Sequence, residues 1–289
     1  MRLSPFRLHR PTTVGQASEL LEELGPEALA YCGGTELLLV AKLGLTEFTD
    51  LVDLKGIQEM SGIASNGELR IGAATTHREI ERSPIVRARW PSLSAMERQV
   101  ANIRVRNVGT IGGNLCFADP HSDPATYLIA AGGRLIAKGR GAPREIPVEE
   151  FTRGPYETTL APAELLVSVV VPPLPPGSAL VHRKMSFHER PAITVATNLA
   201  VRNGAVASAR VAIGSVGVAA QRLIGTEQSA VGIDAAGAAA DALAACADVA
   251  AEEAKPVEDS NGSVEYKRQL VRVLITRCLR EAVAEAGGG

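Results

Sequence analysis

Arg104-Val105-Arg106-Asn107-Val108-Gly109-Thr110-Ile111-Gly112-Gly113-Asn114 is the stretch on which the organisation of this chain turns. It has a counterpart upstream in Cys32-Gly33-Gly34-Thr35-Glu36-Leu37. Two Gly-rich turns in one domain are the main local oddity of the sequence. Glycine lets a backbone come close to a ligand and expose consecutive N–H groups. A helix start beside it adds partial positive charge. Together they make a site for a diphosphate that needs neither Lys nor Arg. Taken alone, either pair reads more readily as a tight turn without a ligand. The known phosphate motifs do not fit: there is no GxxxxGK[ST], and no GxGxxG follows the first strand. Any dinucleotide is therefore held in another way.

Working outward, Thr13 to Leu24 has apolar residues near helical spacing, and Gly25-Pro26 stops it. Ala28 to Cys32 suits a buried strand entering the first glycine turn, with Thr35 placed to cap a helix through Leu43. Phe48 to Leu54 reads as another strand, so the first sixty residues form a small unit of alternating helices and strands in which parallel pairing is plausible. Leu69 to Ala74 reads as a strand and Pro91 to Val100 as a helix with Pro91 at its first turn. Asp123-Pro124 opens a helix that Gly132-Gly133 closes, and Arg134–Lys138 and Leu165–Val171 read as strands. Pro172-Pro173-Leu174-Pro175-Pro176-Gly177 is the clearest boundary, since neither a helix nor a central strand crosses it. Beyond it, Ala179–Met185, Ile193–Arg202 and Ala205–Ser215 suit an antiparallel sheet, with Asn203-Gly204 as a hairpin turn. Ala235–Glu253 and Tyr266–Ala284 read as helices.

Composition narrows the function classes. The chain has 289 residues, 46% hydrophobic and 21% charged, with a formal charge of −2. That balance gives no electrostatic reason to expect nucleic acid or an anionic membrane as partner. Aromatics are only 3%, which disfavours a base-stacking surface. No apolar stretch is long enough for a spanning helix, and the first eleven residues do not read as a secretory signal. Cys32, Cys116, Cys246 and Cys278 lie far apart, without a CxxC pair, so a zinc ribbon or an iron–sulfur loop within this chain is disfavoured. Free reduced thiols of a cytoplasmic protein are expected instead. No metal site is expected: His121 sits beside Asp119 and Asp123 without a further clustered ligand, and Asp119 reads as a cap for the turn at Pro120.

These residues carry a resemblance. Cys32 to Leu37 resembles the first FAD loop of the flavoprotein subunits of molybdenum hydroxylases, a family that includes carbon monoxide dehydrogenase medium subunits and the FAD domain of xanthine dehydrogenase. Ile71 to His77 resembles its strand-plus-TTH segment, which contains Thr75. Ile103 to Asn114 resembles its more specific signature, and Ala118-Asp119-Pro120, Asp123, Leu160–Leu166 and Arg183-Lys184 follow in the right order. The resemblance implies an α+β chain. An FAD-binding domain of the vanillyl-alcohol oxidase/PCMH type would occupy residues 1–176, with a small α/β lobe at about 1–58 and a larger mixed lobe at 59–176. A CO dehydrogenase flavoprotein-like α+β domain, an antiparallel sheet with helices, would occupy 177–289.

Carried over residue by residue, Cys32, Gly33, Gly34, Thr35 and Glu36, with Thr110, Ile111, Gly112, Gly113 and Asn114, would bind the FAD diphosphate. Thr75 belongs to the same cofactor site, Asp123 would accept hydrogen bonds from the cofactor, and Val100 stands where relatives place a flavin-packing residue. Leu166 and Lys184 would lie near the flavin ring, where a cation favours the reduced, anionic flavin; a solvated surface lysine is the alternative for Lys184. Glu36 should point away from the phosphates, because like charges about 4 Å apart repel by about 1 kcal/mol even in high dielectric. His77 and His188 read more readily as loop-capping or surface histidines than as proton carriers. The segment Phe187 to Ile193 departs from the family's Arg-rich pattern.

No residue set here serves as a catalytic acid–base pair. The function implied is that of an FAD subunit passing electrons from iron–sulfur clusters of a small partner subunit through FAD to an external acceptor. A large subunit would carry the molybdenum cofactor, in a dimer of heterotrimers that is cytoplasmic or peripheral to the inner face of the membrane. One rival is a self-contained FAD-dependent oxidoreductase, for which His182, His188 and Tyr266 are the candidates. Another is an assembly module without a cofactor, against which the intact glycines speak.

Overall fold

The computed structural model describes residues 3–187, 190–236 and 240–287. Its elements form two compact units, and the chain enters the second one twice.

The first unit comprises the chain through Ala118 and then Arg134–Val171. It opens with β1 (Arg7–His9), α1 (Val14–Leu24), β2 (Ala28–Tyr31), α2 (Leu37–Lys42) and β3 (Asp50–Asp53). The three strands make a parallel sheet in the order β1-β3-β2. Thr13 caps α1 by accepting from the Gln16 amide at 3.2 Å, and Gly25 at φ +73° ends it. β1 is absent from the sequence expectations. It is three residues long and charged, and it is tied down from far along the chain: Asp50 on β3 takes Arg7 at 2.8 Å and His9 at 2.7 Å.

Next come β4 (Ile63–Ser65), β5 (Leu69–Gly72), α3 (His77–Arg82), α4 (Pro84–Arg89), α5 (Pro91–Glu97), α6 (Ile103–Val108) and α7 (Ile111–Phe117). α8 (Asp123–Ala131) then leaves for the second unit. β6 (Arg134–Lys138), β7 (Arg144–Pro147), the small pair β8 (Thr152–Gly154) and β9 (Glu157–Thr158), and β10 (Leu165–Val171) return to the first. The larger sheet has the order β4-β5-β10-β6-β7, antiparallel throughout. All seven residues of the central β10 are buried, whereas β6 alternates as a half-buried strand should. α3 begins with a full capping box between Thr76 and Glu79.

The second unit holds Asp119–Gly133 and the chain from Pro172 onward. β11 (Ser178–Ser186), β12 (Pro191–Arg202), β13 (Ala205–Gly214) and β14 (Gln221–Arg222) form an antiparallel sheet in sequence order. Asn203 and Gly204, at φ +51° and +78°, make the β12–β13 turn. α9 (Ile224–Ala230), α10 (Ala240–Glu253) and α11 (Val264–Gly287) follow. Ala247, Ala250 and Ala251 of α10 and Leu274, Ile275 and Cys278 of α11 share a core with Val195, Val211 and Ile213 of the sheet. The alanines of α10 are buried in this core, whose buried residues include no aromatic among those described. α8 packs in this unit, with Thr126 Oγ1 2.9 Å from Thr194 Oγ1 of β12 and the Ala130 carbonyl accepting from Asn198. A single cut at residue 176 would therefore separate α8 from the strands it packs on.

Candidate functional site: a cavity between two glycine segments

The first glycine segment leaves the end of β2. Gly34 adopts φ +68°, a left-handed conformation in which a side chain would also strike the Tyr31 ring. Gly33 lies flat against the turn between α6 and α7, and a Cβ there would stand 2.7 Å from Gly109 Cα and closer still to the Val108 carbonyl. Thr35 does not cap α2 as expected. The helix starts from Glu36 without a side-chain cap, and Thr35 Oγ1 faces Gly109. Among the described residues, the amides of Gly34 and Thr35 have no protein partner.

The second segment is not a free bend. Thr110 is the N-cap of α7, accepting from the Gly113 amide at 3.1 Å, so the diglycine forms the helix's first turn. The Ile111 amide donates to the Thr75 carbonyl at 3.1 Å and the Gly112 amide to that of Ala73 at 2.9 Å. A Cβ on Gly112 would lie 2.6 Å from that same Ala73 oxygen. Gly33 and Gly112 are thus required first for backbone packed on backbone. The expectation that both diglycines expose main-chain amides holds for the first segment only, because those of Ile111, Gly112 and Gly113 are engaged within the protein.

Between the two segments lies a cavity of about 330 Å³. Its wall brings together Cys32, Gly33, Gly34, Thr35 and Glu36 with Thr110, Gly112, Gly113 and Asn114, and adds Val100 and Leu166. Glu36 is part of the wall, with its Oε2 sealed from solvent. Thr75 and Ile111 support it from behind: Ile111 is fully buried, and Thr75 Oγ1 donates to the Gly62 carbonyl at 3.1 Å. Asp123 and Lys184 belong to the second unit, where Lys184 Nζ lies 2.7 Å from Asp123 Oδ2. With 12% of its side chain exposed, Lys184 is not a solvated surface lysine.

His77 is neither a loop cap nor a surface residue. It is 2% exposed, lines the cavity, and its Nδ1 is 2.7 Å from Oε2 of the fully buried Glu97. Sequence reasoning missed Glu97. The available signal was a carboxylate on the apolar stripe Leu93-Met96-Val100, a place that charge avoids unless it is paired. His188 lies outside the described residues, as does Glu189 of the atypical segment.

Two thiols also reach the cavity. Burial holds the Cys32 thiol above its ordinary value. Cys116 opens onto the cavity but is packed round by protein mass, and this desolvation pushes its thiol up to about 12. Both remain protonated near neutrality, so neither is a ready nucleophile. In the second unit, burial drives His182 down to about 3 and leaves its two ring nitrogens without hydrogen bonds.

A parallel three-stranded lobe and an antiparallel five-stranded lobe, joined round a glycine-walled cavity, define a class of cofactor-binding domain. Residues 4–174 match the FAD binding domain in molybdopterin dehydrogenase, and residues 184–282 match the CO dehydrogenase flavoprotein C-terminal domain. The chain belongs to this family of FAD-dependent oxidoreductase subunits. It is 31% identical to the carbon monoxide dehydrogenase medium chain of Hydrogenophaga pseudoflava, covering 96% of this chain and 97% of that one. It is 30% identical to the xanthine dehydrogenase FAD-binding subunit of Escherichia coli O157:H7, covering 97% of each. The solved carbon monoxide dehydrogenase from H. pseudoflava that lacks the Mo-pyranopterin moiety of its cofactor superposes with a TM-score of 0.94 at 31% identity, over 98% of this chain and 99% of that one.

Proposed function

We propose that this chain is the FAD-carrying electron-transfer subunit of a molybdenum-containing hydroxylase or dehydrogenase complex. It takes electrons from iron–sulfur clusters of a small partner subunit and passes them to an external acceptor, while a large subunit oxidises the substrate at its molybdenum cofactor. The observation that carries this reading is the cavity itself, where both glycine segments form one wall within the family-matched region. FAD, when bound, supplies the redox chemistry by accepting electrons singly and releasing them in pairs.

The chain's own residues hold and orient it. The free amides of Gly34 and Thr35 are placed to donate to the diphosphate. Thr110, Gly113 and Asn114 line the same cavity and would hold it from the second segment, and Val100 and Leu166 give the cavity apolar surface that would suit a flavin ring. Asp123 and Lys184 are assigned to the cofactor by the family resemblance, and their role is read by whether Asp123→Asn alters FAD retention. The four dispersed cysteines leave cluster ligation to a partner.

Of the candidates for a self-contained oxidoreductase, His182 stays neutral in a buried site, and Tyr266 stacks on Phe187 with ring centroids 6.4 Å apart; activity of the isolated chain on an organic substrate would favour that reading. Among the described residues no helix is long and apolar enough to cross a membrane. From the family resemblance we propose a dimer of heterotrimers, cytoplasmic or peripheral to the inner face of the membrane. The names of relatives span carbon monoxide and xanthine, so substrate choice is assigned to the large subunit. The test is to purify the full chain, record its visible absorbance and identify the released cofactor, then determine the masses of co-purifying subunits. A folded, colourless chain that takes up no added FAD sinks the proposal.

A further inference from the structure

The cavity wall poses an electrostatic problem. A dinucleotide diphosphate carries two negative charges, yet among the described lining residues there is no Lys or Arg, and the carboxylate of lining Glu164 is paired with Arg144 at 2.7 Å. His77 is the one lining side chain able to carry positive charge. Its Nδ1 is held 2.7 Å from Glu97 Oε2 in a pair that is 2% and 0% exposed. Burying two ionisable groups is costly unless their hydrogen bonds are completed. Glu97 Oε1, however, has no partner among the described residues. The His77 Nε2 has none either, and it is not among the atoms sealed from solvent, so it opens on the cavity.

The ring's position is equally specific. Its main-chain amide donates to the Gly109 carbonyl at 3.0 Å. Cδ2, the ring atom bonded to Nε2, lies 3.4 Å from where a Cβ on Gly109 would stand, a point itself 3.5 Å from Thr35 Oγ1. Gly109 is also the residue on which Gly33 packs. The Nε2 edge of the imidazole is therefore beside the meeting point of the two glycine segments.

We propose that His77, oriented by Glu97, is a positioning residue that donates a hydrogen bond from Nε2 to a diphosphate oxygen of FAD; this rests on the FAD reading above. Nδ1–H donates to the carboxylate, so a donating Nε2 means a ring bearing both protons. Its charge cancels that of Glu97 within the wall and leaves the second N–H for the ligand. The pair thus supplies a side-chain N–H donor beside the glycine segments without adding net charge to the wall.

The experiment uses the full-length chain with histidine labelled in its ring nitrogens, and FAD itself as the probe. Only five histidines are present, so the Nε2 resonances are separable and His77→Gln assigns one of them. FAD is expected to shift that resonance. His77→Gln is expected to weaken FAD binding about 10- to 100-fold, the usual worth of a hydrogen bond to a charged group, and to move the phosphorus resonances of the bound diphosphate. A merely structural histidine would leave those phosphorus signals in place. If His77→Gln does not fold, the labelled wild-type chain still decides. FAD uptake with an unmoved His77 resonance, or a variant with wild-type affinity and phosphorus shifts, overturns the inference while leaving the flavoprotein assignment standing. A folded wild-type chain that takes up no FAD overturns both.

Discussion

Replacing Gly33 by Ala tests whether the cavity depends on one backbone surface lying against another. The added methyl would meet the Val108 carbonyl oxygen, Gly109 Cα at 2.7 Å and the Val108 carbonyl carbon at 3.0 Å. Carbon atoms in comfortable contact are about 3.5–4.0 Å apart, so one side must retreat by about 1 Å. The turn cannot yield freely, because the Gly109 amide is bonded to the Val105 carbonyl at 2.6 Å and its carbonyl to the His77 amide at 3.0 Å. Overpacking of this kind costs about 1–3 kcal/mol, and breaking one of those bonds adds about 1 kcal/mol. The expected loss is about 2–4 kcal/mol. It appears as a lower urea midpoint if the loops stay together, or as about 30- to 1000-fold weaker FAD binding if they part. Urea unfolding with and without FAD separates the two outcomes. Gly56→Ala is the control, since its nearest new neighbour is the Pro11 carbonyl at 4.0 Å. A Gly33→Ala chain matching the wild type in both midpoint and FAD affinity would refute the packing argument.

His182 makes the second unit acid-sensitive. Its folded value of about 3 lies below the ordinary 6.5, so its contribution is complete above pH 6.5 and is lost as pH falls toward 3, while the unfolded chain takes up the proton first. Between pH 7 and 4.5 that amounts to about 2–3 kcal/mol, and His182→Leu should flatten this part of the stability profile. Lys184→Met removes the 2.7 Å ion pair with the buried Asp123 and should cost about 1–3 kcal/mol, part of which Asp123→Asn in the same chain restores; additive losses in a double-mutant cycle would show that the pair is not coupled. Thr110→Ala removes the cap of α7 and should cost about 1 kcal/mol, with FAD retention falling alongside, as read by flavin fluorescence. Asn203→Val puts a β-branched residue at φ +51° and should destabilise the β12–β13 hairpin by about 1–2 kcal/mol in thermal unfolding.

What could be read from the sequence was whatever local chemistry decides. β6 and β10 stand at the residues their patterns indicate, and Asn203-Gly204 turns as its residue types demand. The family motifs located the wall of the cavity, from Cys32 to Glu36 and at Thr110, Gly112, Gly113 and Asn114. What could not be read was decided by distant partners. Gly112 and Gly113 suggest a bend because glycine weakens helices by about 1 kcal/mol per residue; the bonds to Ala73 and Thr75 overrule that preference and make a helical turn. β1 exists because of an aspartate more than forty positions away. Glu97 and His77 stand twenty positions apart, and only folding makes them a buried pair.

α8 has one more consequence. Eight of its nine residues are buried, yet the strand β12 that covers it begins about sixty residues further along the chain. At ribosomal speeds of about 5–20 residues per second, this oily rod leaves the exit tunnel about 3–12 s before its cover is made. Throughout that interval the nascent polypeptide displays a sticky segment while the flanking pieces of the first unit are already able to close. A holding chaperone engaged between the two events, or a slow codon placed just before β12, should then govern the yield of folded subunit more strongly than any surface substitution.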